Sequence, residues 1–421
     1  MKKYWIFRRS STAYKKPPSA ILDFYADMKI RRISATPINL PLEAPYIWAF
    51  GELPGFSVTI VEVETEDGFI GLGEAPTWLA ASVIRDQIAP ALIGRDAFDI
   101  AGAEYRCQPY FIGVQSINDA TRITAFGAVE MALWDLRGQA WKQPLYQLLG
   151  GAIRKQIPFT DYFSLRADGA EVRGERTAEA VADYCIELHE TYGTTFFEGK
   201  FSTADPKVSL RMIELIRERL GDEAMIRIDS NQAYSLATAR RLARPLEEFG
   251  VRNWEDPVAT LAEMQELRRH CSIPFSTHDA NIAHAMVHKV PDAICSNPAV
   301  LGGIGRLIRF VGACEHAGID FWCYSGDSGV GSAAYLHLCA ALGWIREPNQ
   351  SLFRMQTADV IQGGPFSPKN NMLTVPEGPG LGVTLDRERL QWCGQHFIEH
   401  GPMNKYHDSG IPGTYRRLPL A

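Results

Sequence analysis

The chain has 421 residues, of which 46% are hydrophobic and 22% charged, and its net charge is −6 at pH 7. That length exceeds one small core, so two domains are expected, and the acidic balance argues against a nucleic-acid partner. No apolar run reaches the roughly 18 residues a membrane-spanning helix needs, so a membrane partner is excluded as well.

Residues 1–27 differ from the rest of the chain. Lys2, Lys3, Arg8, Arg9, Lys15 and Lys16 are scattered among Ser, Tyr and Pro, with no apolar stretch after them. A signal peptide is therefore not expected, Arg8-Arg9 is a weak twin-arginine lookalike, and Met28 is an alternative start. From Met28 to about Pro76 antiparallel strands are expected: Phe56–Glu64 alternates, Glu66-Asp67-Gly68 is a turn, and Phe69–Glu74 returns. Between Ala44 and Gly55 the chain reads as a Pro/Gly-bounded loop carrying Tyr46, Trp48 and Phe50, either a lid over a ligand or packing on the next domain. Residues 78–139 read as mostly helical, and Gly150-Gly151 leads into a second region. This gives an extension (1–27), an α+β domain (28–150), a catalytic domain (151–351) and a C-terminal segment (352–421) packing back on the α+β domain.

From Ile157 a strand–helix rhythm takes over. Candidate strands are Ile157–Tyr162, Thr195–Phe201, Ala224–Asp229, Val251–Glu255, Pro274–His278, Ala293–Asn297 and Asp320–Ser325. Helical stretches such as Thr177–Thr191 and Asp205–Leu220 separate them. Such repeats imply a parallel sheet closed as a barrel, with its loops at the carboxyl ends of the strands. An open doubly wound sheet is weaker, because no GxGxxG follows a first strand. Two strands end in an acid, Asp229 in IRIDSNQAY and Glu255 in VRNWEDP. Two carboxylates on adjacent strand ends suit a hard divalent cation such as Mg²⁺ better than a pair of helix caps. The eight cysteines, Cys185, Cys295 and Cys323 among them, lack CxxC spacing and read as reduced thiols of a cytoplasmic protein.

The helix AVEMALWDLRGQAWKQPLYQLLGG, then IDSNQAY, WEDP, LGGIGR and VPEGPGLGV, together resemble the enolase superfamily in its mandelate racemase/muconate lactonizing enzyme branch, over Met28–Arg389. The resemblance implies an α/β fold: a modified (β/α)₇β TIM-type barrel with an α+β capping domain made from both chain ends. It also implies one Mg²⁺ on three strand-end ligands, a small-molecule carboxylate substrate, and a homo-oligomer of two to eight copies. In that chemistry a base removes the proton α to a metal-bound carboxylate, giving an enediolate.

Carried over by position, Asp229 and Glu255 match the first two metal ligands. The third is His278, by strand parity with Pro274 and Ser276, or Asp279, one residue later and favoured by Mg²⁺ for its oxygen. His278 is also open to an acid–base role. The family's Lys-x-Lys reads Glu198-Gly199-Lys200, leaving Lys200 as candidate base with Glu198 on the same face. If Glu198 binds Lys200, the lysine stays protonated; if it binds elsewhere, the lysine is free to act. Opposite, relatives carry a lysine or an Asp–His dyad where this chain has Asn297 and Ser325. Asp327 stands where muconate-type relatives carry Glu, and Tyr324 is a further proton donor. Trp48, Glu198, Asn297, Tyr324 and Ser325 are expected to bind substrate. With one base, a single-base reaction is expected. FSTHDA and VIQGGPF are similar to glucarate-dehydratase-like members, so that reaction is dehydration of a sugar acid. Racemisation or epimerisation, lactone cycloisomerisation, and a metal-binding relative without catalysis are the alternatives.

Overall fold

The computed structural model describes residues 28–108, 114–324, 327–403 and 415–421, with the backbone alone at 114–119. The expected N-terminal extension and Ser325 lie outside the described residues. The first domain is an antiparallel meander, β1 (Ile30–Trp48), β2 (Gly51–Thr65) and β3 (Ile70–Ala75), in that order. Along β2 the alternation works as read: Val61, Val63 and Thr65 are buried while Glu62 and Glu64 are partly open. A 28-residue helix, α1 (Val114–Trp141), crosses the sheet. It lies on β3 at backbone contact: a Cβ on Gly73 would stand 2.0 Å from the Ala128 carbonyl oxygen. Glycine is therefore required there for steric reasons.

Two buried acids of α1 staple it to distant segments. Glu130 accepts the amides of Ile304 (2.7 Å) and Gly305 (2.9 Å), the start of the helix that begins within LGGIGR. Asp135 accepts Leu72 N (2.8 Å) in β3 and Leu381 N (2.7 Å) in the VPEGPGLGV stretch. Motifs far apart in sequence thus meet as one hydrogen-bonded unit.

The second domain runs β4 (Gln156–Pro158), β5 (Asp161–Phe163), α2 (Ala178–Tyr192), β6 (Phe196–Lys200), α3 (Pro206–Leu220), β7 (Met225–Asp229), α4 (Leu236–Glu248), β8 (Asn253–Glu255), α5 (Leu261–Leu267), β9 (Phe275–Thr277), α6 (Ile282–His288), β10 (Ala293–Ser296), α7 (Ile304–Ala317), β11 (Asp320–Cys323) and α8 (Gly329–Ala341). Among the described residues seven strands, β5 to β11, lie parallel in sequence order. Helix starts carry the caps their sequences promise: Thr177, Ser235 and Thr260 each accept an amide three residues on. The expected strand Ile157–Tyr162 is split, because β4 turns away to pair antiparallel with β12 (Met372–Thr374). The ring is closed by residues 348–351. Asn349 N donates to Pro158 O (3.0 Å), Thr160 N to Asn349 O (2.8 Å), and Gln350 N to Cys323 O (3.0 Å). The fold is the modified barrel expected.

The C-terminal helix α9 (Arg387–His400) packs on β1, and Asn39 Nδ2 donates to Gly401 O at 3.0 Å. The last residues behave differently from the expectation that the whole C-terminal segment covers the first domain. Leu420 N donates to Ala233 O (2.6 Å) and Ser235 N to Ala421 O (2.7 Å), so they seat on the loop after β7. Among the described residues no helix is long and apolar enough to cross a membrane.

His337 on α8 is fully buried, whereas His316 on α7 is exposed, which accounts for both as ordinary helix residues. His337 Nδ1 accepts Tyr146 N (3.3 Å) and Nε2 donates to Leu381 O (3.0 Å), which demands the neutral ring. Burial pushes its pKa down from 6.5 to about 4. Between those values the unfolded chain binds a proton that the folded one refuses. Stability therefore falls as pH drops from 6.5 to 4, by about 3 kcal/mol from this group. In urea unfolding at pH 4 to 7, His337→Gln is expected to lose less stability on acidification than wild type by about that amount; parallel pH curves would refute it.

Candidate active site

Strand register sets the site. Lys200 pairs with Asp229 across β6 and β7, Asp229 with Glu255 across β7 and β8, and Glu255 with Ser276 across β8 and β9. The three chemical side chains thus form one row at the carboxyl ends of the strands. Above them is a cavity of about 460 Å³, lined by Lys200, Asp229, Asn231, Asp256, His278, Tyr324, Asp327 and Gln350 from the barrel. Tyr46, Trp48, Phe50, Leu53 and Phe56 line it from the first domain. At the rim, Asn231, Gln232 and Asp256 hold φ of 43°, 61° and 41°. Left-handed backbone at such non-glycine residues costs of order 1–3 kcal/mol each and collects at functional sites.

The aromatic segment is not the loop expected. Both strands run on to a two-residue turn, with Trp48 opposite Gly51. This hairpin tip is docked on the barrel: Ile47 N donates to Leu165 O and Ala167 N to Pro45 O, both at 2.8 Å. Arg166, itself buried, pairs with Glu43 at 2.5 Å and also with Glu175. The tip therefore roofs the cavity with Trp48 facing inward.

Lys200 Nζ forms an ion pair with Asp229 and stands 5.5–5.9 Å from the ring centres of Tyr46, Trp48 and Tyr162. Burial lowers its pKa, but Asp229 and the neighbouring phenols outweigh this and raise it well above the ordinary lysine value. Glu198 does not touch the cavity. It is fully buried and binds Arg227 (2.6 and 2.8 Å), Gln350 (2.5 Å) and Thr160 (3.3 Å). Of the two arrangements open in the sequence, the structure has the one that leaves Lys200 free of Glu198. The expectation of Glu198 as a substrate ligand is corrected accordingly, for Arg227 draws it downward.

His278 opens onto the cavity, and its Nε2 lies 3.0 Å from Glu255 Oε1. Its side chain keeps 38% of its surface exposed at the cavity, and Glu255, Asp256 and Asp229 outweigh the partial loss of solvent and push its pKa up to about 9. Burial likewise opposes ionisation of Glu255, but His278 and Lys200 hold it down at about 2. Asp279 does not line this cavity. It is exposed, accepts Asn281 N at 3.1 Å, and faces a neighbouring hollow with His284 and His288. Strand parity, which pointed to His278, outweighs the preference for oxygen that pointed to Asp279. Asp229 and His278 line the cavity, and Glu255 follows Asp229 in the strand row and meets His278, so these three are the candidates to hold a divalent cation. Asn231 Oδ1 fits that reading, since it is buried at the cavity without a hydrogen-bond partner.

On the far wall Asp327 is buried and pairs with the Tyr335 hydroxyl, and Asn297 Nδ2 donates to it at 3.1 Å. Burial raises Asp327 to about 7. Glu74, which accepts Ser328 N (2.9 Å) and Gly331 N (2.8 Å), rises to about 8 from burial and then from Asp327. Asn297 is a buried support for Asp327 and does not line the cavity, which corrects its expected contact with substrate. Tyr324 lines the cavity, its ring edge-on to His278 at 5.0 Å. Ser325 remains outside the described residues. Sequence reasoning missed Gln350, Tyr335, Tyr162, Glu74 and Arg227. Arg227 alone carried a signal: it shares strand parity with Asp229, so a cation had to point inward.

Arg227 and Glu198 are 1% and 0% exposed, and the guanidinium stacks 4.1 Å from the centre of Trp322. Removing one member of a buried pair strands the other, at about 3–5 kcal/mol. Arg227→Met is expected to lose stability of that size in denaturant unfolding, and Arg227→Met/Glu198→Leu to recover most of it. Equal losses in both variants would show that the pair is not the cause.

Residues 31–150 match the mandelate racemase/muconate lactonizing enzyme N-terminal domain, and residues 180–389 match the enolase C-terminal domain-like family. A chloromuconate cycloisomerase of Pseudomonas putida is 30% identical over 396 residues, covering 89% of this chain and all of that one. A D-galactonate dehydratase family member of Streptomyces bingchenggensis is 29% identical over 374 residues, covering 79% of this chain and 89% of its own. The crystal structure of an enolase from Pseudomonas fluorescens with bound magnesium, potassium and tartrate superposes with a TM-score of 0.81 at 23% identity, covering 90% of this chain and 95% of that one. The staples of α1, the row of strand-end ligands and these matches agree: the chain belongs to the enolase superfamily, in its mandelate racemase/muconate lactonizing enzyme branch.

Proposed function

We propose that this protein is a metal-dependent lyase that dehydrates a hydroxy acid of the sugar-acid class through abstraction of the α-proton. One observation carries the reading. A single cavity holds Lys200 on one wall and, on the other, Asp327, a carboxyl whose burial keeps its proton to about pH 7. A base and a proton-bearing acid are what elimination of water needs. A divalent cation held by Asp229, Glu255 and His278 would neutralise the charge of the substrate carboxylate.

Lys200 takes the α-proton. A cation held by Asp229 would compete with Lys200 for that carboxylate, which otherwise holds the lysine's own proton. Burial of Lys200, which by itself lowers its pKa, would then favour the neutral amine. The C–H electron pair forms the Cα–Cβ double bond, and the β C–O bond breaks. Asp327 delivers its proton to the departing oxygen, which leaves as water. Tyr335 and Asn297 hold Asp327 in place, and the roof of Tyr46, Trp48 and Phe50 keeps bulk water from the carbanionic species. Cycloisomerisation is the second reading, favoured by the similarity to the chloromuconate cycloisomerase and by the acid at position 327.

Across a library of acid sugars, Lys200→Ala is expected to lose both dehydration and solvent deuterium exchange at the α-carbon. Asp327→Asn is expected to keep exchange and lose dehydration. Exchange surviving in Lys200→Ala would move the base elsewhere. Dehydration surviving in Asp327→Asn would remove Asp327 as the acid. Trp48→Ala is expected to raise KM with the fold intact; unchanged kinetics on a confirmed substrate would reduce the hairpin tip to packing.

A further inference from the structure

The third ligand position is occupied by imidazole, and a thiol lies against it. His278 reaches the cavity from the end of β9, and its Nε2 is 3.0 Å from Glu255 Oε1. Cys295 of β10 is fully buried, with Sγ 3.6 Å from His278 Nδ1 and 3.9 Å from Nε2. One donor atom from each of Glu255, His278 and Cys295 falls within 4.8 Å of the other two. Glu255 Oε1 is buried and its close polar neighbour is His278 Nε2, so it faces this cluster. Asp279, the oxygen donor nearest in sequence, points to the neighbouring hollow.

Mg²⁺ favours an octahedral shell of oxygens and retains several waters. A set of carboxylate, imidazole and sulfur is softer and suits borderline first-row ions, whose affinity for such sites rises from Mn²⁺ towards Cu²⁺ and Zn²⁺. We propose that this cation site selects a borderline transition-metal ion over Mg²⁺, with His278 as the selecting ligand and Cys295 as a sulfur donor within reach of the ion. The inference rests on the reading of Asp229 and Glu255 as cation ligands. It departs from that reading in naming which ion they share with nitrogen and sulfur.

The test uses the purified full-length protein stripped of metal. Co²⁺ and Mg²⁺ are titrated by calorimetry, separately and in competition, and the Co²⁺ form is followed by absorption. Wild type is expected to bind Co²⁺ well above Mg²⁺ and to show a thiolate-to-cobalt charge-transfer band. His278→Asp, an all-oxygen site, is expected to reverse the order. Cys295→Ser is expected to lose the band and to weaken Co²⁺ by at least about tenfold, the low end of what removing even a supporting group costs a metal site. Equal or tighter Mg²⁺ binding in wild type overturns the preference and leaves the ligand reading standing. Absence of the band, or a Cys295→Ser titration identical to wild type, overturns the sulfur donor. Failure of both ions to bind wild type and His278→Asp, with thermal melting showing both folded, overturns the preference and the ligand reading together. An unchanged order in His278→Asp assigns selection to another residue and overturns the role of His278.

Discussion

Buried negative charge at one end of the barrel is the constraint on which the remaining structure depends. Glu198, Asp229, Glu255 and Asp256 are all buried there. Among the described residues, the cations paired with them or facing them are Arg227, Lys200 and His278. Burial of a carboxylate favours its neutral form, and Asp256, which has a hydroxyl and no ion pair as its direct partner, is pushed up to about 7. The other three are divided by depth. The deepest, Glu198, is matched permanently by a stacked arginine that never loses its proton. The shallower Asp229 and Glu255 are matched by a lysine and a histidine, groups that can exchange partners. The same row of strand ends therefore has a fixed lower half and a convertible upper half, and chemistry belongs to the upper one.

The acids at strand ends were legible because a parallel barrel repeats: apolar run, acid, helix, apolar run, acid. Period and parity place Asp229, Glu255 and His278 without knowledge of the fold's details. Lys200 was legible from the family resemblance, as what remains of Lys-x-Lys in Glu198-Gly199-Lys200. What alternation cannot show is which interior partner each side chain chooses. Glu198 and Lys200 share a face, yet one goes to Arg227 and the other to Asp229, a choice made by depth within the barrel. Gln350, Tyr335 and Glu74 were invisible because each arrives from an element that is distant in sequence or without periodicity of its own. The hairpin tip was misread as a loop because Pro and Gly punctuate it. The strands survive there because the bulge between Pro41 and Tyr46 absorbs the irregularity, and the tip is hydrogen-bonded to the barrel.

The motifs that identify the family are mostly not catalytic. Glu130 and Asp135 occupy one helix and hold the start of α7, strand β3 and the VPEGPGLGV stretch. A carboxylate that satisfies two backbone amides at once rigidifies what it touches, and burial makes its loss costly. Such a helix fixes the orientation of the first domain on the barrel. It thereby fixes the height of the aromatic roof above Lys200.

Gln350 gives this arrangement a mechanical property. Its side chain donates to both Glu198 (2.5 Å) and Glu255 (3.0 Å), yet it belongs to the short segment that closes the barrel and carries no helix of its own. Seven residues on, Thr357 N donates to Pro41 O at the base of the hairpin, and Gln356 Nε2 donates to the carbonyl oxygen of Asp327. One stretch of about ten residues therefore connects the roof, the wall acid and both the permanent and the convertible carboxylates. The base of the hairpin, the backbone that carries the wall acid and two buried carboxylates of the barrel thus share one covalent strut, so the roof and the charges beneath it are positioned by the same few residues.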